Sequence, residues 1–290
     1  MTIYYDFGFY LSVAAIVTGV IALIDKLKWQ KERQAKGVEY DEKGNEKLPF
    51  MIDISRSFFP IILFVLVLRS FLYEPYRIPS GSMNPGLYDG DFILVNKYAY
   101  GIRLPAFNTK IIPIGEPKRG DVIVFHPPHE PQSAYIKRLI GMPGDRLEWN
   151  KGTLTITPKC EEGKVCQPIV IKPQLKSSDV NELVKQGEYF DTYQEVIGEV
   201  EYETIYLDPR VDRGSLKESW TRVVPDGKYF GVGDNRDNSM DSRVWGFIDQ
   251  DAMIGRAAAK WLFMEFTDEP VMFGWHLPKG ISFARVGAIN

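Results

Sequence analysis

Two serines flank a glycine in the segment IPSGSMNPGLYDGD, which spans residues 78–91. A glycine between Ser80 and Ser82 lets the backbone bend sharply and present a hydroxyl group ahead of the next strand. In isolation, a polar surface turn explains such a segment more often than a nucleophile does. The position favours chemistry, because the segment directly follows an apolar run that would hold a reactive serine close to a membrane surface.

Histidine is the usual base for a serine nucleophile, but the chain has only three histidines. His126 and His129 flank two prolines in what is predicted to be a stiff turn, and His276 lies in an aromatic tail. The pattern supports neither a histidine-based triad nor a zinc site.

Lys137, in AYIKRLIGMPGD, is the alternative base. In a strand, Tyr135, Lys137 and Leu139 share one face. If that face is buried, desolvation disfavours the ammonium form, and the neutral amine can accept the serine proton. A surface lysine beside Arg138 is the competing interpretation.

A third segment, GDNRDNSMDSRVWGF at 233–247, is dense in polar residues. Its polar part continues directly into apolar residues around Trp245, which predicts a loop held against the core. A solvated loop is the competing interpretation. Its oppositely charged side chains could form ion pairs that fix the loop near an active centre. These residues are Arg236, Asp237, Asp241 and Arg243.

These segments lie among short runs rich in β-branched and aromatic residues. The clearest runs span 91–98, 121–126, 135–140, 146–149 and 153–157. Glycine, proline, aspartate and asparagine separate them, as in a mainly β domain. The domain is predicted to cover 76–290. A looser, more charged stretch predicts an inserted subdomain over about 147–228.

The amino-terminal part of the chain contains two apolar runs. Residues 7–24 carry no charge and would form a helix of about 27 Å, close to the thickness of a bilayer's hydrocarbon core. The run lacks a basic start, so a cleaved signal peptide is not expected. The second run begins at Phe58 and predicts a span over 58–75. Because its uninterrupted part is short, a buried core helix is the alternative.

The loop between the two predicted spans, residues 25–57, contains eight basic residues, whereas residues 1–6 contain none. The positive-inside rule therefore predicts a cytoplasmic loop, an external amino terminus and an extracytoplasmic domain from residue 76 onward.

Composition limits the possible function classes. The 290 residues are 44% hydrophobic and 25% charged, with a net charge of −3. This balance argues against wholesale disorder and against nucleic acid as a partner. A mean hydropathy of −0.19 excludes a transporter with many spans but allows one or two.

The only two cysteines, Cys160 and Cys166, lie six positions apart in the predicted outer domain. A small disulfide loop in an oxidising compartment is favoured over two free thiols. No metal site is predicted, because two thiols without nearby histidines cannot complete a tetrahedral set.

Together the three polar segments resemble the type I signal peptidase family of Gram-negative bacteria. SGSM followed by P and L after a membrane run, YIKR followed by GMPGD, and GDNRDNSMDSR followed by WGF occur in the family's order. The resemblance implies a mainly antiparallel β-sheet catalytic domain with an inserted β-rich subdomain, preceded by two transmembrane helices.

The activity implied by the resemblance is that of a membrane-bound serine endopeptidase. Such an enzyme removes signal peptides from exported preproteins after small residues, at sites of the Ala-x-Ala type, and uses no cofactor. It would be a multi-pass protein of the inner membrane, with its catalytic domain in the periplasm. Its partners would be exported preproteins and membrane lipid, with a functional link to the export translocon and no nucleic acid. A membrane-anchored β module that binds exported chains without cutting them is one competing class, and the serine and lysine pair argues against it. A self-cleaving Ser/Lys protease of the transcription-repressor type is the other, but that class lacks paired membrane spans and carries a DNA-binding module, which the sequence does not predict.

The resemblance also assigns roles to residues. Ser82 would be the nucleophile and Lys137 the general base, while the Ser80 hydroxyl and the Ser82 amide would form the oxyanion hole. Ser239 would orient the lysine, and Asp237, Asp241 and Arg243 would support the site. The residues implied to line the substrate groove are Tyr76, Ile78, Met83, Leu87, Tyr135 and Ile136.

Overall fold

The computed structural model describes residues 4–40, 46–105, 107–150, 152–160, 166–177, 190–207, 219–267 and 277–289. His276 lies outside these ranges. The chain forms two compact units, Met1–Tyr73 with Arg103–Ile111, and Glu74–Ile102 with Ile112–Asn290.

The first unit contains the helices α1 (Phe7–Ile24), α2 (Gln30–Lys36) and α3 (Phe50–Phe71), and a π-helical segment, Asp25–Trp29, joins α1 to α2. Asp6 caps α1, since its carboxylate accepts the Phe9 N–H at 2.8 Å. At Gly19, a Cβ would lie 2.7 Å from the Phe59 ring, so glycine allows the close approach of α1 and α3. The continuous helix Phe7–Lys36 and the helix Phe50–Phe71 are both long and apolar enough to cross a membrane.

These helix bounds differ from the bounds expected from hydropathy. The predicted span 58–75 corresponds to a helix that begins at Phe50 and ends at Phe71, and the predicted loop 25–57 is helical as far as Lys36. Hydropathy detects only the length of an apolar run, whereas the helices continue through polar residues whose charges are neutralised by ion pairs. Asp25 is fully buried and receives hydrogen bonds from Arg33, the shorter at 2.6 Å.

The second unit is built mainly from strands. In chain order, the strands of the protein are β1 (Tyr73–Arg77), β2 (Asp91–Asn96), β3 (Ile102–Arg103), β4 (Lys110–Ile112), β5 (Val122–Phe125), β6 (Tyr135–Gly141), β7 (Arg146–Asn150), β8 (Thr153–Thr157), β9 (Ile169–Ile171), β10 (Gln174–Ser177), β11 (Phe190–Ile197), β12 (Val200–Leu207), β13 (Trp220–Val223), β14 (Lys228–Val232), β15 (Ile248–Asp249), β16 (Met253–Phe266), β17 (Pro278–Ser282) and β18 (Gly287–Ala288). A short helix, α4 (Ser242–Trp245), precedes β15.

The largest sheet has the strand order β1-β2-β16-β5-β6-β14-β15, and β17 and β18 also pair with β16. The 14-residue β16 is the longest strand of this sheet, with antiparallel pairing to β2, β5, β17 and β18. Breaks in register near Ala257 and Lys260 accompany its pairing with β2. The prediction of a mainly antiparallel β fold is confirmed.

Two smaller sheets are formed by strands between Arg146 and Val223, in the orders β10-β11-β12 and β13-β7-β8-β9. They lie within the stretch predicted as an inserted β-rich subdomain. Its two cysteines, Cys160 and Cys166, form a disulfide. Both faces of β6 are covered, so all its residues after Tyr135 are buried.

Candidate active site

Ser82 lies in a single 3₁₀ turn, Gly81–Met83, between β1 and β2. A distant residue, Asn235, holds this turn in place. The Asn235 backbone N–H donates to the carbonyl of Ser82 at 3.2 Å, and its side-chain amide donates to the carbonyl of Gly81 at 3.0 Å. The backbone that carries the hydroxyl is therefore fixed from a segment about 150 residues further along the chain.

Lys137 lies in β6 with only 3% of its surface exposed. Its Nζ is 2.8 Å from Ser82 Oγ and 2.8 Å from the carbonyl oxygen of Ile136. The neighbouring Arg138 is equally buried, so the interpretation of Lys137 as a surface lysine is wrong.

The electrostatic surroundings of Lys137 favour its neutral form. Burial lowers the pKa of the amine from 10.5 to about 8, although the carboxylates of Asp241 and Asp234 oppose this change. Arg243 acts in the same direction as burial. Because the lowered pKa is close to neutrality, a substantial fraction of the amine can accept a proton.

Asp234 and Arg138 form a buried ion pair beside the lysine. Arg138 Nε and Nη2 each lie 2.8 Å from one Asp234 oxygen, and Arg138 Nη1 donates to the carbonyl of Gly120 at 2.9 Å. Such fork geometry is directional as well as strong. It joins the start of the polar segment 233–247 to the strand that carries Lys137.

Asp241 is the second buried carboxylate of that segment. It accepts the Gly233 N–H at 2.9 Å, caps α4, and pairs with Arg243 through two contacts of 2.8 Å. Burial by itself would raise the pKa of Asp241, but the Arg243 guanidinium and the N–H donors hold it below its usual range. Asp241 therefore remains ionised close to Lys137.

Gly233 lies close both to the turn that carries Ser82 and to Ser239 of the polar segment. A Cβ on Gly233 would be 2.5 Å from the Ser82 carbonyl oxygen and 2.6 Å from the Ser239 Cβ, and it would clash with the Ser239 hydroxyl. Only glycine fits between these groups in this arrangement.

The predicted site residues are mostly brought together. Lys137 and Ser82 are in contact, and Asp241 and Arg243 are paired next to them. Among the residues expected to line the groove, five pack in one hydrophobic cluster, namely Tyr76, Ile78, Met83, Leu87 and Ile136. Tyr135 belongs to a neighbouring cluster, where its hydroxyl donates to Glu130 at 3.1 Å.

Other predicted residues are placed differently. Ser239 was expected to hydrogen-bond to the lysine amine, but its buried hydroxyl has no hydrogen-bond partner within the described part of the chain. The amine instead contacts Ser82 and the Ile136 carbonyl. Ser80 has an exposed side chain on an extended backbone just before the turn, and Asp237 is half-buried.

Three residues that the sequence did not single out also build the site: Gly233, Asp234 and Asn235. The available signal was their place in a polar segment that runs into the apolar Trp245. That pattern indicated a loop held against the core, but residue type alone could not say which side chain would contact which strand.

The two described histidines lie away from the serine and lysine contact. His126 Nδ1 is 3.0 Å from the carbonyl of Ser133. The His129 ring packs against Tyr135 and Trp245, with ring centroids 5.3 and 5.8 Å apart.

Comparisons with known proteins found a matching family model and several similar chains. The family model described as "Signal peptidase, peptidase S26" matches residues 51–262. The signal peptidase I of Pseudomonas aeruginosa is 38% identical, covering 98% of this chain and 99% of its own length. The signal peptidase I of Pseudomonas fluorescens is 37% identical, with the same coverage. A solved signal peptidase I from Enterococcus faecalis, 29% identical, covers 49% of this chain and 97% of its own, with a TM-score of 0.27.

The family match and the similar chains define a serine peptidase, and the chain belongs to the signal peptidase family. Membership implies the removal of signal peptides, with preproteins as substrates. Together with the two apolar helices of the first unit, it describes a membrane-anchored enzyme.

Proposed function

We propose that the protein cleaves signal peptides from exported preproteins with a catalytic dyad of Ser82 and Lys137. The observation that carries this proposal is the 2.8 Å contact between Ser82 Oγ and the Nζ of a lysine that is 3% exposed. A hydroxyl nucleophile within hydrogen-bond reach of a base with a lowered pKa is the arrangement that covalent catalysis requires.

In the first half of the reaction, the neutral Lys137 amine takes the Ser82 proton while Oγ attacks the carbonyl carbon of the scissile peptide. The Ser82 backbone N–H and the Ser80 hydroxyl donate to the oxyanion that forms. The lysine ammonium then gives its proton to the leaving nitrogen, the C–N bond breaks, and the mature protein departs with a free amino terminus.

In the second half, Lys137 removes a proton from a water molecule, which attacks the ester carbonyl of the acyl-enzyme. The proton returns from the lysine to Ser82 Oγ, and the signal peptide leaves with a free carboxylate. The Ser239 hydroxyl, buried without a partner in the described chain, is proposed to hold the amine while Ser82 is acylated. Asp237 is proposed to support the same polar segment.

The preference for small residues rests on the hydrophobic cluster beside the dyad. Ile78, Met83 and Leu87 are each at most 2% exposed, and we propose that their side chains line shallow pockets. Such pockets suit alanine at the first and third positions before the cut. Tyr76, Tyr135 and Ile136 are proposed to complete the groove.

An open strand edge offers a place for the substrate backbone. β14 pairs with β6 only from Arg138 onward, so among the described strands residues 135–137 have a partner only on the β5 side. An extended peptide can add a strand there through main-chain hydrogen bonds. That placement would bring its scissile bond next to Lys137.

The proposed topology has both long helices crossing the inner membrane. Residues 1–6 and the domain from residue 76 would be periplasmic, and residues 25–57, with their eight basic residues, cytoplasmic. The helices would lie in membrane lipid. A functional link to the export translocon follows, because preproteins emerge from it on the periplasmic side.

The test of the function uses the full chain in detergent and a precursor with an Ala-x-Ala site. Wild type is expected to release the mature protein, with the cut mapped by mass spectrometry after the second alanine. Ser82→Ala and Lys137→Ala should leave the precursor intact, whereas Ser219→Ala, at an exposed serine, should cleave normally. Equal processing by wild type and by both dyad variants would refute the proposal.

The pH dependence of cleavage should follow the lysine. Because Lys137 acts as the neutral amine and burial lowers its pKa to about 8, kcat/KM is expected to fall about tenfold per pH unit below pH 8. In Asp241→Asn the fall should begin at a lower pH, because a carboxylate that raises this pKa is gone and Arg243 is left uncompensated. Initial rates from pH 5.5 to 9.5 measure both curves. A flat wild-type profile from about pH 6 to about pH 9 would argue against Lys137 as the base.

A further inference from the structure

A buried ion pair joins the polar segment of the active site to the smaller sheets. Arg236 and Glu195 are 2% and 1% exposed, and their side chains meet through contacts of 2.8 and 2.5 Å. Glu195 belongs to β11, outside all three segments that identify the family. The serine and lysine chemistry does not use it.

The surroundings of Glu195 are built to hold one carboxylate in one orientation. Its Oε2 accepts the Tyr202 hydroxyl at 2.9 Å, while its Oε1 accepts the hydroxyls of Thr204 at 3.1 Å and Tyr206 at 3.2 Å. Arg236 also donates to the same two tyrosine oxygens. A buried charge pair satisfied in this way adds directional constraint more readily than net stability.

Backbone hydrogen bonds also attach the polar segment to β12. Ile205 in β12 donates to the carbonyl of Asp234 at 3.0 Å, and Arg236 donates to the carbonyl of Ile205 at 2.9 Å. Residues 234–236 thus lie along β12 like a short additional strand, with Ile205 and Asn235 as parallel partners.

Three consecutive residues of the polar segment therefore have three different partners. Asp234 pairs with Arg138 beside the base, and Asn235 holds the turn of the nucleophile. Arg236 is the only one of the three that reaches the β11–β12 hairpin with its side chain. Because the three residues are consecutive, a shift of Arg236 would also disturb the contact of Asp234 beside Lys137 and that of Asn235 with the turn that carries Ser82.

The far end of the polar segment has a second anchor from the smaller sheets. Arg222 in β13 donates to the carbonyls of Ser242 at 2.9 Å and Arg243 at 3.0 Å. Both ends of the segment are thus held by strands that lie between Arg146 and Val223.

We propose that Glu195 is a positioning residue for catalysis, and that the inserted strands hold the polar segment 233–243 in its working position through Glu195 and Arg222. The proposal rests on the proposed function of Ser82 and Lys137. It assigns a role in turnover to a part of the chain that the catalytic residues do not include.

The test replaces Glu195 by glutamine, which keeps the size of the side chain but removes the charge that fixes Arg236. A displaced segment should lower kcat by about 10-fold or more, because small misplacements of reacting groups are amplified in rate. KM should stay within about twofold, because the groove residues are not attached to Glu195. The matched control is Glu203→Gln, since the partly exposed Glu203 on β12 pairs with Lys176.

The pH profile separates positioning from simple loss of folded enzyme. Carboxylates of the segment oppose the lowering of the lysine pKa, so their displacement should move the acid limb of kcat/KM to lower pH. A smaller folded fraction would scale the rates equally at every pH. Circular dichroism at the assay temperature measures that fraction directly.

If Glu195→Gln does not fold, Arg222→Gln tests the proposal in its place. This variant is expected to fold, because Arg222 is only half-buried and its loss leaves no buried charge unpaired. We expect it to lower kcat several-fold at unchanged KM, against Arg146→Gln as an exposed control. The proposal is overturned if Glu195→Gln folds and has the same kcat and the same acid limb of the pH profile as the control Glu203→Gln. It is also overturned if Arg222→Gln has the kcat of wild type. A wild type that leaves the precursor uncut, as Ser82→Ala does, overturns the proposed function and this inference together.

Discussion

Replacing Lys137 by methionine is expected to lower kcat by at least about 10³-fold, because the proposed activation of Ser82 loses its base. Methionine fills a similar volume and stays apolar, so the buried end of β6 keeps its packing. The loss of rate should therefore occur without loss of the fold.

The stability of the folded Lys137→Met protein should rise even though its activity falls. Burial lowers the pKa of Lys137 from 10.5 to about 8, so a folded protein below pH 8 holds an ammonium in a site that disfavours it. That costs about 3 kcal/mol near neutral pH, and the cost disappears as pH rises from about 8 to about 10.5. Methionine carries no such cost, so the variant should be at least as stable as wild type at pH 7.

The measurement pairs precursor cleavage with thermal unfolding at pH 7. Lys228→Met, at an exposed lysine of β14 that pairs with Asp249, is the control and should keep both its rate and its stability within a small margin. A Lys137→Met enzyme that retains more than about a tenth of wild-type kcat would contradict the role of the lysine, because a general base contributes about 10²-fold or more.

Adding one methyl group at Gly233 is expected to lower kcat by about 10²-fold. The new Cβ would lie 2.5 Å from the Ser82 carbonyl oxygen and 2.6 Å from the Ser239 Cβ, so the turn of the nucleophile or the polar segment must shift. The Ser82 carbonyl is also the acceptor for the Asn235 N–H at 3.2 Å, so a shift weakens the attachment between the two. A displacement of about 1 Å is enough for an effect of this size.

Gly280→Ala is the matched control for Gly233→Ala. Gly280 lies in β17, where an added Cβ meets nothing within 4 Å. Steady-state cleavage of the precursor by both variants, with circular dichroism to check the fold, measures the difference. If Gly233→Ala cleaves as fast as Gly280→Ala, the close approach at Gly233 does not govern the geometry of the dyad.

Local patterns predicted the strands well, and they also pointed to the serine and the lysine that the structure places in contact. The runs at 91–98, 121–126 and 135–140 contain β2, β5 and most of β6 because alternating β-branched residues and flanking turn residues act over short distances. The turn that carries Ser82 and the strand position of Lys137 could be predicted from the sequence for the same reason. Each depends on residue type and on a few neighbours.

The supporting contacts could not be predicted because they join residues far apart in the chain. Nothing near Glu195 in the sequence marks it as the partner of Arg236, 41 positions away. The burial of Arg138 was also not predictable, since it requires Asp234 from a strand end 96 positions later. The helix bounds shifted for a different reason, because hydropathy does not detect a polar helix end fixed by a pair such as Asp25 and Arg33.

The hydrogen bonds from Asn235 to the turn that carries Ser82 have a consequence for the synthesis and folding of the protein. A growing chain contains Ser82 and Lys137 long before it contains residues 233–243. Until residues 233–243 are made and the long-range strands have paired, the contacts that surround Lys137 and Ser82 cannot be complete. If Ser82 and Lys137 act as proposed, a partly synthesised copy is therefore expected to lack peptidase activity.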